Sequence, residues 1–196
     1  MFRVIMTNFL ILAAFFFLVL IFLLSALWIL VPAFFGPPSV PTKLSRIRKA
    51  LQLVNLQSNE TLCDLGAGDG RVLLLAAREF DANAIGIEIG PVQCGWIFLR
   101  VLANRLGNKI QIKWGNYLKA DLSQADVVFM YATSKEIAKL SSYLPKQMKS
   151  GARLVSISAD FPEWEPQAFD ERALIFVYHM PPKEGSLMTF MLKNSS

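Results

Sequence analysis

The chain has 196 residues, enough for one domain with an appendage and too few for two full cores. It is 54% hydrophobic with a mean hydropathy of +0.40, yet 18% charged with a formal net charge of +5. That combination excludes an acidic disordered protein, a disulfide scaffold and a multi-span transporter, and it requires two unlike regions in one chain.

The division is visible in the charges. None lies between Arg3 and Lys43, and residues 43–196 hold 19 basic and all 15 acidic groups. Val4 to Val31 is a 28-residue stretch whose polar residues are Thr7, Asn8 and Ser25. As a helix it reaches roughly 42 Å at ~1.5 Å per residue, more than a ~30 Å hydrocarbon core needs. Tilt takes up the excess, with Trp28 at headgroup level. A secretory signal has a shorter apolar stretch and a small-x-small cleavage site, and a core helix has a polar stripe. Residues 1–31 are therefore expected to form a single transmembrane anchor, and 32–42 a proline-rich tether too rich in proline to continue the helix. Residues 43–196 make the domain. Basic residues flank the span unequally: Arg3 precedes it, whereas Lys43, Arg46, Arg48 and Lys49 follow. The positive-inside bias puts the domain in the cytoplasm of a bacterial-type inner membrane or, in a eukaryote, at the mitochondrial inner membrane.

Leu44, Ile47, Leu51 and Val54 recur at helical spacing and predict a first, amphipathic helix, with basic residues on its other faces. After residue 56, short β-branched runs alternate with helical stretches, which argues for a parallel α/β sheet. Strands are expected at Thr61–Leu65, Ala84–Glu88, Ile110–Trp114, Ala125–Tyr131 and Arg153–Ile157. Helices are expected at Arg71–Phe80, Pro91–Leu106 and Lys135–Leu144. The tail reads as a hairpin, Ala173–His179 and Ser186–Leu192 around Pro181-Pro-Lys-Glu-Gly185, so an antiparallel strand should close the C-terminal edge.

Asp64-Leu-Gly66-Ala67-Gly68-Asp-Gly70 joins the first strand to the first helix of the sheet. Glycines there let backbone approach a ligand at the carboxyl edge, and Glu88, ending the second strand, is the residue type that accepts from two ribose hydroxyls. Together they indicate a nucleoside-cofactor site. A dinucleotide loop would want a third glycine at 71, where Arg71 stands. Asp64 is a poor neighbour for a pyrophosphate and a good one for a cation. S-adenosylmethionine, which has an amino group and a sulfonium but no phosphate, fits better than NAD.

The run D-L-G-A-G-D-G-R from Asp64, Glu88 in Gly86-Ile-Glu-Ile, Trp114-Gly-Asn-Tyr and Ala125-Asp-Val-Val-Phe resemble the successive motifs of class I S-adenosylmethionine-dependent methyltransferases. Val40-Pro-Thr42, Asp160-Phe-Pro162 and the N-terminal span resemble its membrane-anchored branch. That branch includes the lysine methyltransferases of the mitochondrial ATP synthase c-subunit and of the adenine nucleotide translocase. The resemblance implies a Rossmann-like seven-strand sheet over residues 40–192. It also implies a cofactor site with Asp64, Gly66, Ala67, Gly68 and Gly70 around the methionine part, Glu88 at the ribose and Asn116 at the adenine. The family commonly has aspartate at 116; asparagine can still accept from the adenine amino group. The spacer from Phe161 to Trp164 is shorter than in relatives.

Methyl transfer from a sulfonium needs an aligned, neutral nucleophile more than acid–base machinery. Tyr131, ending the fourth strand, with Phe161 and Trp164 after the fifth, are candidate walls of a desolvating pocket for a lysine amine; Asp160 is a candidate for holding a cationic substrate. An open acidic channel would favour lysine, and an enlarged apolar pocket a lipid or quinone acceptor. A protein that binds the cofactor without turnover is the further alternative. Met130-Tyr-Ala-Thr133 lacks the Asn/Asp-Pro-Pro-aromatic sequence of amide- and adenine-methylating relatives. His179 is the only histidine, so no metal site is expected. Cys63 and Cys94 read as buried free thiols. Arg71 reads as an ion-pair partner. The basic residues lack interleaved aromatics, so nucleic acid is not an expected partner. A protein substrate at the membrane and the bilayer itself are.

Overall fold

The computed structural model describes residues 2–35, 42–131 and 133–194. They fall into two compact units, one within Met1–Pro38 and one within Ser39–Ser196.

The first unit is one helix, α1 (Phe2–Phe35), within which Ile5–Leu30 is long and apolar enough to cross a membrane. Two of its hydroxyls are satisfied inside the helix: Thr7 donates to the Arg3 carbonyl at 2.9 Å and Ser25 to the Ile21 carbonyl at 2.8 Å. The helix runs through Pro32 to Phe35 rather than ending before it. Proline's fixed φ is itself helical, and near a helix end the missing N–H costs one hydrogen bond rather than a turn. Residues 36–41, the rest of the expected tether and the Val40-Pro41 pair, lie outside the described residues.

The second unit contains α2 (Leu44–Leu53), β1 (Thr61–Leu65), α3 (Arg71–Glu79), β2 (Asn83–Glu88), α4 (Pro91–Ala103), β3 (Ile110–Trp114), β4 (Val127–Tyr131), α5 (Ser134–Gln147), β5 (Arg153–Ile157), β6 (Ala168–Asp170), β7 (Ile175–His179) and α6 (Leu187–Asn194). The seven strands form one sheet in the order β3-β2-β1-β4-β5-β7-β6. The first five are mutually parallel, and β7 runs antiparallel to both β5 and β6. Alternation along the central strands feeds two cores. Val127, Phe129, Val155 and Ile157 pack with α2, α3 and α4 on one face, while Val128, Met130 and Leu154 pack with α5 on the other. The order reverses at β1, between β2 and β4. Their carboxyl ends therefore open a crevice at the switch point.

The mixed sheet and its antiparallel C-terminal margin agree with the sequence. The hairpin is built differently. Residues 187–192 belong to a helix, and the edge strand is β6, upstream of β7. Ser186 explains the change: its hydroxyl accepts the Thr189 N–H at 3.2 Å, an N-cap, and Leu187, Met188, Met191 and Leu192 are better helix formers than strand formers. Three residues of β6 are too few to leave a pattern.

Candidate functional site

The loop after β1 is shaped by Gly66, Gly68 and Gly70, with φ of +84°, +57° and +75°. The Gly66 and Ala67 amides donate to the Ile87 carbonyl at 2.9 and 3.0 Å, which fastens the loop to the end of β2. At Gly70 a Cβ would stand 2.9 Å from Ile97 Cγ2, so the left-handed backbone and the close approach of α4 both demand glycine. At Gly66 a Cβ would meet nothing within 4 Å, so its backbone faces open space that a ligand can enter.

Two carboxylates lie at the ends of the adjacent strands β1 and β2, and both are buried, Asp64 at 4% exposure and Glu88 at 6%. Glu88 accepts the Gly68 amide at one oxygen and the Gly90 amide at the other, each at 2.8 Å. The Asp64 side chain has no hydrogen-bond or ion-pair partner among the described residues. Burial first, then Glu88 and Asp69, push its carboxyl up to about 8. A buried acid beside a second acid, with no cation of the chain to balance it, suits a positively charged ligand. The ammonium and sulfonium of S-adenosylmethionine fit there, and a pyrophosphate does not.

Asp69 belongs to a separate brace. It binds Arg71 at 2.8 and 2.9 Å and Arg100 at 3.1 Å, while Arg71 also donates to the Thr42 carbonyl at 2.8 Å. Arg71 thus ties the loop to the chain entering α2. Asn116 caps the 3-10 turn Tyr117–Lys119 by accepting the Leu118 amide at 2.9 Å. Its oxygen keeps one lone pair for another donor. Burial pushes the Cys63 and Cys94 thiols up to about 12 and about 11, so both stay neutral.

The expected acceptor residues are not gathered into one pocket. Tyr131, 37% exposed, lines an open cleft of about 640 Å³ with the start of α2 on one side and Ser158 and Leu174 on the other. The charged groups of that cleft are basic rather than acidic, because Lys43, Arg46, Lys49 and Arg172 line it. Arg46 is held without a carboxylate, donating to the Ala173 carbonyl at 2.7 Å and the Ser158 hydroxyl at 2.8 Å. Phe161 and Trp164 lie elsewhere, stacked at 4.2 Å and buried, and both rings meet Tyr178 edge-on. They are core, not walls: an aromatic pair of this size gains more from mutual burial than from facing solvent. Asp160 accepts the Tyr178 hydroxyl at 2.6 Å, and burial beside Asp160 pushes that hydroxyl up, so it remains a donor. The cleft-lining Arg172 and Ser158 went unread in the sequence. Neither carries a motif, and both reach the cleft through a turn that only the fold closes.

The 3-2-1-4-5-7-6 sheet, with a glycine loop after β1 and a carboxylate ending β2, defines a class I S-adenosylmethionine-dependent methyltransferase. Residues 64–168 match the ANTKMT methyltransferase domain family, and the chain belongs to it. It is similar to a protein-lysine N-methyltransferase of Saccharolobus islandicus (strain REY15A), 30% identical over 131 residues covering 66% of this chain and 81% of that one. A lysine N-methyltransferase of the ATP synthase c-subunit from Caenorhabditis elegans is 29% identical over 129 residues, covering 64% of this chain and 67% of that one. Among solved structures, an RNA methyltransferase from Salinibacter ruber in complex with S-adenosyl-L-homocysteine superposes with a TM-score of 0.71 at 28% identity, covering 74% of this chain and 97% of that one.

Proposed function

We propose that this protein methylates a lysine side chain of a membrane or membrane-associated protein, and that residues 4–31 hold it in the bilayer with the methyltransferase domain in the cytoplasm or mitochondrial equivalent. The observation that carries the reading is the unbalanced pair Asp64 and Glu88 behind the glycine loop, in a chain whose relatives include two named for lysine methylation.

The bound donor supplies an electrophilic methyl group on a sulfonium. Asp64 offers a carboxylate to the donor's ammonium, and Gly66 and Gly68 let the backbone come close. Glu88 holds the loop with one lone pair of each oxygen and has others for the ribose hydroxyls. Asn116 has a lone pair for the adenine amino group. The acceptor amine must be neutral. The cleft beside Tyr131 is lined by Lys43, Arg46, Lys49 and Arg172 rather than by the acidic groups expected to draw in a lysine ammonium; the same cations favour the neutral amine once it is seated there. Transfer would replace the donor's S–C bond with an N–C bond to the amine, whose surplus proton would go to solvent. Confinement to the membrane raises the effective concentration of membrane-bound substrates, which suits a domain with little beyond its catalytic sheet.

The test uses the full chain, membranes from cells lacking it, and donor labelled in the methyl group. Methyl-lysine should appear in acid-hydrolysed protein and vanish with Glu88→Ala. Label in extractable lipid or quinone would replace the lysine assignment. Donor binding without transfer to any fraction would reduce the protein to a cofactor-binding one.

A further inference from the structure

Helix α4 has two apolar faces, and only one of them meets the core. Ile97 and Val101 are buried, whereas Trp96, Phe98, Leu99 and Leu102 are 48%, 55%, 58% and 54% exposed. At ~100° per residue these four, with Gly95 and Ala103 among them, fill one continuous arc of about 160°. Trp114 extends the surface. It ends β3 on the same sheet face as Ile110 and Ile112 and is 73% exposed. Its indole N–H donates to the Ile89 carbonyl at 2.9 Å, two residues before α4 begins, so the ring is pinned beside the helix. A contiguous apolar face with two tryptophans marks a surface that another apolar phase covers.

Charge identifies that phase. From Ile89 to Ala120 there is no acidic residue, and there are five basic ones, Arg100, Arg105, Lys109, Lys113 and Lys119. Arg100, paired with Asp69, and Arg105, with no ion-pair partner among the described residues, fall at the two margins of the exposed arc of α4; Lys109 pairs with Asp81, and Lys113, on the sheet face opposite Trp114, lies toward Cys63 and Asp121 instead. A second copy of the chain would bring Arg100 and Arg105, with no acidic residue on α4 or β3 to meet them, against themselves across a two-fold axis, which is repulsive. An anionic bilayer complements both features, with apolar side chains entering the acyl boundary, indoles at headgroup level and arginines on the lipid phosphates.

We propose that α4 and Trp114 form an interfacial docking surface that lies on an anionic membrane. The start of α4 is tied to the proposed cofactor site, because Gly90, immediately before it, donates to Glu88. Docking would therefore fix the mouth of the cofactor crevice relative to the membrane surface. The proposal rests on the reading that residues 4–31 cross the same bilayer.

The chain's four tryptophans, Trp28, Trp96, Trp114 and Trp164, make the two readings separable. Full-length single-tryptophan variants, the other three replaced by phenylalanine, would be reconstituted in phosphatidylcholine–phosphatidylglycerol discs with brominated acyl chains. Trp28 should be strongly quenched, Trp96 and Trp114 quenched to at least about half its extent, and the core residue Trp164 hardly at all. Quenching of Trp28 with Trp96 and Trp114 as unquenched as Trp164 overturns the docking surface and leaves the span intact. An unquenched Trp28 overturns the span on which it rests. On the unaltered chain, amide exchange over Pro91–Ala103 should slow at least about fivefold in anionic relative to zwitterionic discs. Equal exchange in both contradicts the electrostatic half of the proposal.

Discussion

The Glu88 carboxylate accepts the Gly68 amide at 2.8 Å, joining the end of β2 to the middle of the glycine loop, and its second oxygen accepts the Gly90 amide. Glu88→Ala should therefore cost stability as well as cofactor, about 2–4 kcal/mol for two buried amides left without a charged acceptor. Glu88→Gln keeps one acceptor and should cost about half as much while still losing most donor affinity. Denaturant unfolding and calorimetric titration, run on the same preparations, check the two effects.

On the proposed pairing of Asp64 with the donor's ammonium, donor binding should depend on pH. Burial, with Glu88 and Asp69 beside it, pushes its carboxyl up to about 8, whereas pairing with an ammonium requires the ionised form. Affinity for S-adenosylmethionine should rise by up to about tenfold per pH unit below that value, with a proton released on binding, and turn over above it as the donor's own α-ammonium loses its proton. Without donor the sign is reversed. A raised acid pKa contributes stability that is full at low pH and is lost as pH rises through the folded value, so the cofactor-free protein should weaken toward about 8. Asp64→Asn should flatten both profiles; titration in buffers of different ionisation enthalpy and melting curves from pH 5 upward read them out.

Glycines 66 and 70 share a backbone conformation but differ in surroundings. Gly70→Ala meets both the left-handed φ and the Ile97 side chain, and should lower stability by about 2 kcal/mol or more. Gly66→Ala meets open space and should cost about 1–2 kcal/mol, with a proportionately larger loss of donor affinity, since the new methyl group occupies the ligand's side of the loop.

The aromatic residues separate in the same way. Phe161→Ala or Trp164→Ala should destabilise the fold by about 3–5 kcal/mol, as expected for truncating a buried ring. Tyr131→Ala, on an exposed strand end, should stay within about 1 kcal/mol of the parent yet alter kcat/KM for the acceptor. Unfolding curves and transfer kinetics on the three variants distinguish core from cleft.

What the sequence displayed depended on contiguity. The loop from Asp64 to Gly70 and its partner Glu88 were legible because their chemistry is local to one βα unit and one strand end. The first five strands were legible because four are largely buried apolar runs and Ile110–Trp114 alternates apolar with polar residues. Ser186–Leu192 was misread because alternation over so short a run does not distinguish strand from helix, although Ser186 carried an N-cap signal. Phe161 and Trp164 follow a strand at the ligand edge, and whether such rings face a crevice or fold back onto Tyr178 is decided by the antiparallel pairing of β7. The basic cleft draws Lys43 and Arg46 from one end of the domain and Arg172 from the other. The spacing of α4 predicts a helix, but it cannot say that one apolar side lacks a protein partner.

Lysine methylation in living cells tests the central claim most directly. Quantitative mass spectrometry of the membrane proteome would compare cells lacking the protein with cells given back the full chain or its Asp64→Asn form. A methyl-lysine on a membrane or membrane-associated protein should be lost on deletion, restored by the full chain and not by the variant. An unchanged methyl-lysine inventory, with a methylated lipid or quinone lost instead, would contradict the account.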